Sequence, residues 1–242
     1  MARGHMRRIC ILENDTISQR IVPGLPRFAT LYERLLREGG GGDWSFEAFH
    51  VPAGEYPASF DGFDAIVLTG SRHDAFGDDP WIVDLRARVR ALVDARRKVV
   101  GICFGHQLVA HCLGAPVGRA PGGWHAGRFD YDWHGPVAGA GALPSRLGLH
   151  AVHQDQVLAL PEGARLLASS PTCPVAAFAL GDHVLAMQQH PEFDGGIVAN
   201  LLELLRPALG EDAYATGRRS LAPSHDGARL GVAIASFVAA TG

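Results

Sequence analysis

The stretch KVVGICFGHQLVAHCLG, Lys98 to Gly114, constrains this chain more than any other. A short β-branched run, Val99-Val100 into Ile102, meets Cys103 between Gly101 and Gly105, and apolar positions at helical spacing follow through Leu108, Val109 and Leu113. Glycine on both sides of a nucleophile suits a sharp strand-to-helix elbow, because side chains there would clash with the neighbouring strand and helix. Such a turn places the sulfur at a helix N-terminus, where free backbone N–H groups and the helix dipole favour thiolate over thiol. A buried structural cysteine on a core strand is the competing reading, and the paired glycines with the following helix favour the nucleophile.

The segments around the elbow fit one sheet. Arg7 to Leu12 reads as a first strand ending at Glu13-Asn14-Asp15, and after Pro23-Gly24 the apolar positions of Phe28 to Arg37 fall at helical spacing until the Gly39–Gly42 run. No Lys-Ser or Lys-Thr follows those glycines, so they do not read as a phosphate cradle. Ser45 to Val51 alternates as a second strand. Phe63 to Thr69 is nearly all apolar, as in a parallel strand covered on both faces; it breaks at Gly70-Ser71, and Trp81 to Arg97 reads as an amphipathic helix. Alternating strands and helices predict an α/β fold, an open, mostly parallel sheet with helices on both faces and catalytic groups at the carboxyl ends of its strands.

From Ala115 to about Ala186 short β-like pieces alternate with Gly and Pro, which predicts a small antiparallel addition to the same domain. A helix is expected over Gly196–Leu209, then a polar stretch, Gly210 to Asp226, and a last apolar helix near Ala228–Ala239. The expectation is one domain over 1–242, with a core of about 7–206 and a helical extension over 207–242. Gly4-His5-Met6 leaves open whether residues 1–5 are native.

Composition excludes several classes. Apolar residues make up 47% and charged residues 19% of 242, enough for a large core and too few charges for a disordered chain. A net charge of −3 gives no electrostatic reason to expect nucleic acid or a membrane surface as partner. No apolar run approaches a membrane span, the N-terminus does not read as a signal peptide, and a cytoplasmic location is the default. Cys10, Cys103, Cys112 and Cys173 lack paired spacing, against a disulfide framework or zinc ribbon. His106 and His111 do not share a helix face, so no metal site is expected.

A cysteine nucleophile needs a base, and the base an orienting group. His190 follows the strand-like Val184–Met187, and Glu192 lies two positions on; in an extended segment, which Pro191 enforces on His190, the two project to one side. A surface His and Glu is the bland alternative. Sulfur attack on an amide makes an oxyanion, for which Phe104 N–H is one donor and the Gly70-Ser71 turn the expected second.

These pieces together resemble the class I (triad) glutamine amidotransferases: Gly101-Ile102-Cys103-Phe104-Gly105-His106-Gln107, Leu68-Thr69-Gly70-Ser71 and Gln189-His190-Pro191-Glu192-Phe193, in the family's order across about residues 7–206. Val152-His153-Gln154-Asp155-Gln156-Val157 is similar to the His-x-Asp-x-Val stretch of GMP synthetase-like glutaminase domains, and the nearest look-alikes are free-standing members, some acting on γ-glutamyl peptides. The resemblance implies a flavodoxin-like fold, no cofactor, and a Cys103–His190–Glu192 triad that cleaves the amide of glutamine or a γ-glutamyl compound through a thioester. It implies a substrate contact for Gln107, which alone could be a helix surface residue, and for His153 and Asp155, which could equally form a locally bonded turn. Two departures stand out. Gly70-Ser71-Arg72 replaces the common Gly-Gly-Pro, which points to Ser71 N–H as the inward amide, and Trp124-His125-Ala126-Gly127 stands where members often carry Glu-x-Gly. The partner implied is either none, as in a self-sufficient γ-glutamyl hydrolase, or an ammonia-accepting synthase; a catalytically silent binding protein on the same fold is the reading from another class.

Overall fold

The structure is a computed structural model and describes residues 6–15 and 26–240; the Gly4-His5 end and the Pro23-Gly24 break lie outside them. The chain runs β1 (Arg8–Glu13), α1 (Phe28–Glu38), β2 (Ser45–His50), β3 (Ala65–Leu68), α2 (Pro80–Asp94), β4 (Val99–Ile102), α3 (Phe104–Cys112) and β5 (Val117–Arg119). It continues as β6 (His125–Trp133), β7 (Arg146–His153), β8 (Asp155–Val157), β9 (Arg165–Ser170), β10 (Cys173–Leu180) and β11 (Val184–Met187). It ends with α4 (Gly195–Leu209), α5 (Glu211–Ser220) and α6 (Gly227–Ala239).

One nine-stranded sheet organises these elements, in the order β2-β1-β3-β4-β11-β10-β9-β6-β7. The first five strands are parallel, and from β10 onward each neighbour is antiparallel. The addition expected after Ala115 therefore prolongs the same sheet with four strands, and β5 and β8 form a separate two-stranded ribbon. The parallel strands are buried on both faces, which is why they read as continuous apolar runs. On β1, Ile9 and Ile11 join the core under α1, α4 and α6, whereas Cys10 and Leu12 face the layer of α2 and α3.

The helix α5 lies inside the polar stretch Gly210 to Asp226 and is not apparent from the sequence. Its only buried residue is Gly217, so it lacks the apolar stripe that marks a helix facing a core. Glu211 and Asp212 in its first turn and Arg218 and Arg219 in its last complement the helix dipole instead. Gly217 packs against the carbonyl of Ala126, where a Cβ would sit 2.5 Å from the oxygen.

The two strands that matter most for chemistry are neighbours. β4 and β11 pair in parallel with Ile102 opposite Met187, so the segments leaving them, Cys103 and Gln188–Phe193, emerge side by side at the carboxyl edge. The end of β3, paired to β4 with Leu68 opposite Gly101, brings Gly70 to the same place.

Candidate active site

Cys103 sits between β4 and α3 with φ 53° and ψ −103°. It is one of two non-glycine residues with positive φ among those described, a conformation that costs free energy and persists only where surrounding packing holds it. That packing is visible. A Cβ on Gly101 would lie 2.7 Å from the Gly105 carbonyl oxygen, and one on Gly105 would lie 2.5 Å from the Leu68 carbonyl oxygen. The elbow thus needs glycine at both flanks, as the sequence suggested. Cys103 N–H donates to the Met187 carbonyl at 2.9 Å, and its own carbonyl accepts from Gln107 N–H at 3.0 Å.

His190 faces this sulfur. The ring is buried, its backbone N–H donates to the His150 carbonyl at 2.9 Å, and Phe193 stacks flat on it with centroids 4.2 Å apart. His190 Nδ1 lies 2.7 Å from Glu192 Oε1, the i, i+2 pairing expected of an extended His-Pro-Glu. Burial is the largest influence on the ring and opposes its charged form, but Glu192 and then the Cys103 sulfur outweigh it, and the pKa is raised to about 10. The structure thus places the three residues in one buried constellation.

Glu192 has a second partner that the sequence did not reveal. Tyr32 Oη donates to Glu192 Oε1 at 2.8 Å, and the backbone N–H of Gly70 also interacts with this hydroxyl. Burial first, then the Glu192 charge, pushes the phenol well above its usual pKa, so Tyr32 remains a neutral donor. In the sequence Tyr32 is one apolar-face position of α1 and nothing distinguishes it.

The oxyanion candidates also converge. Phe104 begins α3, so its N–H has no partner within the helix. A Cβ on Gly70 would come within 3.0 Å of His190 Cε1 and 3.8 Å of Cys103 Cβ; this turn runs against both side chains. It is braced from behind by the polar cluster that ends β1. Asn14 N–H donates to Thr69 Oγ1 and its amide to the Thr69 carbonyl, both at 2.9 Å. Asp15 accepts from Arg72 N–H at 2.8 Å and from its guanidinium at 2.9 and 3.0 Å. Gly70 N–H is directed to Tyr32, which leaves Ser71 N–H as the candidate amide of the turn. Ser71 Oγ accepts from His73 N–H at 3.1 Å.

Gln107, His153 and Asp155 all border the cavity over Cys103, about 310 Å³ in volume. Their bonds run largely to one another. Gln107 Nε2 donates to the Asp155 carbonyl at 2.8 Å and to Gln188 Oε1 at 3.1 Å, and Gln188 Nε2 lies 3.5 Å from Cys103 Sγ. His153 Nδ1 is 3.0 Å from the same Asp155 carbonyl, and its ring stacks on His125. Burial lowers the His153 pKa well below its usual value and keeps the ring neutral. Arg119 clamps the Asp155 carboxylate at 2.7 and 2.8 Å. Gln188 and Arg119 are thus members of the site that the sequence does not single out.

The remaining cysteines and His106 do not border the cavity. Burial pushes the thiols of Cys10 and Cys173 up to about 12 and that of Cys112 to about 11, so they stay protonated. His106 packs on Phe178 with its pKa lowered to about 3 by burial. Trp81 stacks on Phe104 and Trp133 is core, while Trp124 borders the cavity. Among the described residues no helix is long and apolar enough to cross a membrane.

The mostly parallel α/β sheet with its antiparallel extension is also the fold of solved amidotransferase structures. A glutamine amidotransferase of Thermotoga maritima superposes with a TM-score of 0.77 over 97% of both chains at 20% identity. The chain belongs to the class I glutamine amidotransferase family, whose model matches residues 55–202. It is 38% identical over 189 residues to gamma-glutamyl peptidase 3 of Arabidopsis thaliana, covering 74% of this chain and 75% of that one. It is also 39% identical over 127 residues to the glutamine-hydrolysing GMP synthase of Aeropyrum pernix, where the match covers 51% of this chain and 22% of the synthase.

Proposed function

We propose that this protein is a thiol amidohydrolase that cleaves the γ-amide of γ-glutamyl compounds, with Cys103 as nucleophile, His190 as acid and base, and Glu192 as its orienter. The observation that carries the reading is the strained Cys103 at the N-terminus of α3, with a buried His190–Glu192 pair directed at it.

The steps follow from these positions. Cys103 Sγ attacks the γ-carbonyl carbon, and the oxygen takes the negative charge within reach of Phe104 and Ser71 N–H. The C–N bond breaks as His190 gives its proton to the nitrogen, releasing an amine or ammonia and leaving a γ-glutamyl thioester. His190, now neutral, takes a proton from water, which attacks the thioester carbon. The C–S bond breaks, glutamate leaves, and the proton on His190 restores the starting state. Glu192 holds Nδ1 throughout, so the opposite ring nitrogen serves both half-reactions. Gln107, Asp155 and Arg119 lie where the amino-acid end of the γ-glutamyl group would be read. The 38% identity to a gamma-glutamyl peptidase over three quarters of each chain supports hydrolysis without a synthase.

Incubating the protein with γ-glutamyl dipeptides and with glutamine, beside Cys103→Ala, tests this. Glutamate should appear only with the unaltered cysteine. Glutamine hydrolysis that appears only on adding an ammonia-accepting synthase would favour a donating subunit, and no turnover under any condition would sink the enzyme reading.

A further inference from the structure

We infer that the half of the cavity receiving the departing amine is built for a large apolar group, so that γ-glutamyl amides of bulky apolar amines are preferred over glutamine. This deepens the γ-glutamyl hydrolase reading and rests on it.

The nitrogen that leaves must take its proton from His190, so whatever that nitrogen carries departs on the His190 side. That side is apolar. Phe193 lies flat against the His190 ring with planes 4° apart, and Phe28 stacks on Phe193 with centroids 6.2 Å apart. From Phe193 the chain enters α4, whose Leu201, Leu204 and Leu205 border the same cavity. Leu204 is 41% exposed, a large apolar side chain left open to water at the mouth of a catalytic cavity.

Charged side chains border the same cavity: Arg72, Asp74, Arg119 and Asp155 match the amino and carboxylate groups of a γ-glutamyl moiety in type. Cys103 thus opens into a cavity with both an apolar and a charged lining. For glutamine the leaving group is ammonia, a small polar molecule that would make no use of the phenylalanine and leucine wall. An amine bearing an aliphatic or aromatic side chain would cover that wall and expel water from it.

The test is kcat/KM for a matched series: glutamine and the γ-glutamyl dipeptides of alanine, leucine, phenylalanine and aspartate, measured on the full chain and on Leu204→Glu and Leu205→Ser. Because methylene-sized differences in an apolar pocket discriminate by roughly 10- to 200-fold, γ-glutamyl-phenylalanine should exceed γ-glutamyl-alanine by about tenfold or more, with aspartate lowest among the dipeptides. Leu204 is exposed, so its replacement should spare folding and reduce the phenylalanine-to-alanine ratio severalfold. A flat series, or a ratio unmoved in both variants, would overturn the inference while leaving the hydrolase reading intact. Absence of turnover on every member, with Cys103 unreactive, would instead remove the reading beneath it.

Discussion

Tyr32→Phe removes one oxygen from the protein and asks whether the triad ends at Glu192. The hydroxyl donates to Glu192 Oε1 at 2.8 Å, the oxygen that also faces His190 Nδ1 at 2.7 Å, and both Tyr32 and Glu192 are buried. Phenylalanine fills the same space, so the change is the lost hydrogen bond to a charged acceptor, about 1.5–3 kcal/mol. For a chain of this size that lowers Tm by about 3–12 °C, at roughly 2–4 °C per kcal/mol. Glu192 keeps its bond to His190 but loses the group that fixes its rotamer. The expected cost in kcat is therefore about tenfold, near 1.4 kcal/mol in the transition state, with KM little changed because Tyr32 does not border the cavity. The direction of the pH effect separates positioning from simple destabilisation. Without Tyr32 the carboxylate has His190 as its main partner, which favours the imidazolium, so the alkaline limb of kcat/KM should move to higher pH. Steady-state kinetics on a γ-glutamyl dipeptide across pH, with thermal denaturation alongside, measures all four quantities. A variant with wild-type kcat and an unmoved alkaline limb, whatever its Tm, would refute the positioning role.

Gly105→Ala forces a Cβ to 2.5 Å from the Leu68 carbonyl oxygen and 2.6 Å from Leu68 Cβ; overpacking of this kind costs about 1–3 kcal/mol, and urea denaturation should show that loss together with reduced activity, since the elbow must shift. His106, fully enclosed with its pKa lowered to about 3, binds its proton more readily when unfolded, so its contribution is present above about pH 6.5 and lost as pH falls toward 3. At about 1.4 kcal/mol per pH unit it accounts for about 2 kcal/mol between pH 6.5 and 5, and His106→Phe should flatten the acid side of the stability profile measured by urea unfolding. His190 acts with the opposite sign: its pKa is raised to about 10, so its stabilising contribution is full below about pH 6.5 and is lost as pH rises through 10, and Cys103→Ala, which removes one source of that shift, should make the decline in Tm over this range shallower.

The parallel half of the sheet and its elbow were legible because both are local in sequence. Val99–Ile102 is buried on both faces and so is apolar throughout, and Gly101 and Gly105 are fixed by contacts within one strand-turn-helix. His190 and Glu192 were legible for the same reason, two residues apart across a proline. Tyr32 was not, since its bond to Glu192 spans 160 positions and its neighbours on α1 are apolar in any reading. Asn14 and Asp15 were visible as a polar strand end, but their work of holding Thr69 and Arg72 depends on β1 pairing with β3. The helix α5 escaped because a helix that buries only a glycine carries no apolar stripe. His153 and Gln107 were named as substrate contacts; the structure adds that both converge on the carbonyl of Asp155, a reason for their presence that the sequence could not separate from binding.

The central claim is that Cys103, alone among the four cysteines, is the nucleophile. Its most direct test is intact-mass and peptide mapping after exposure to a γ-glutamyl diazoketone, an electrophile that mimics the substrate's acyl group. One adduct, on Cys103, absent in Cys103→Ala and formed much more slowly in His190→Ala, is the predicted result. No adduct, or labelling at Cys10, Cys112 or Cys173, whose thiols burial holds protonated, would contradict it.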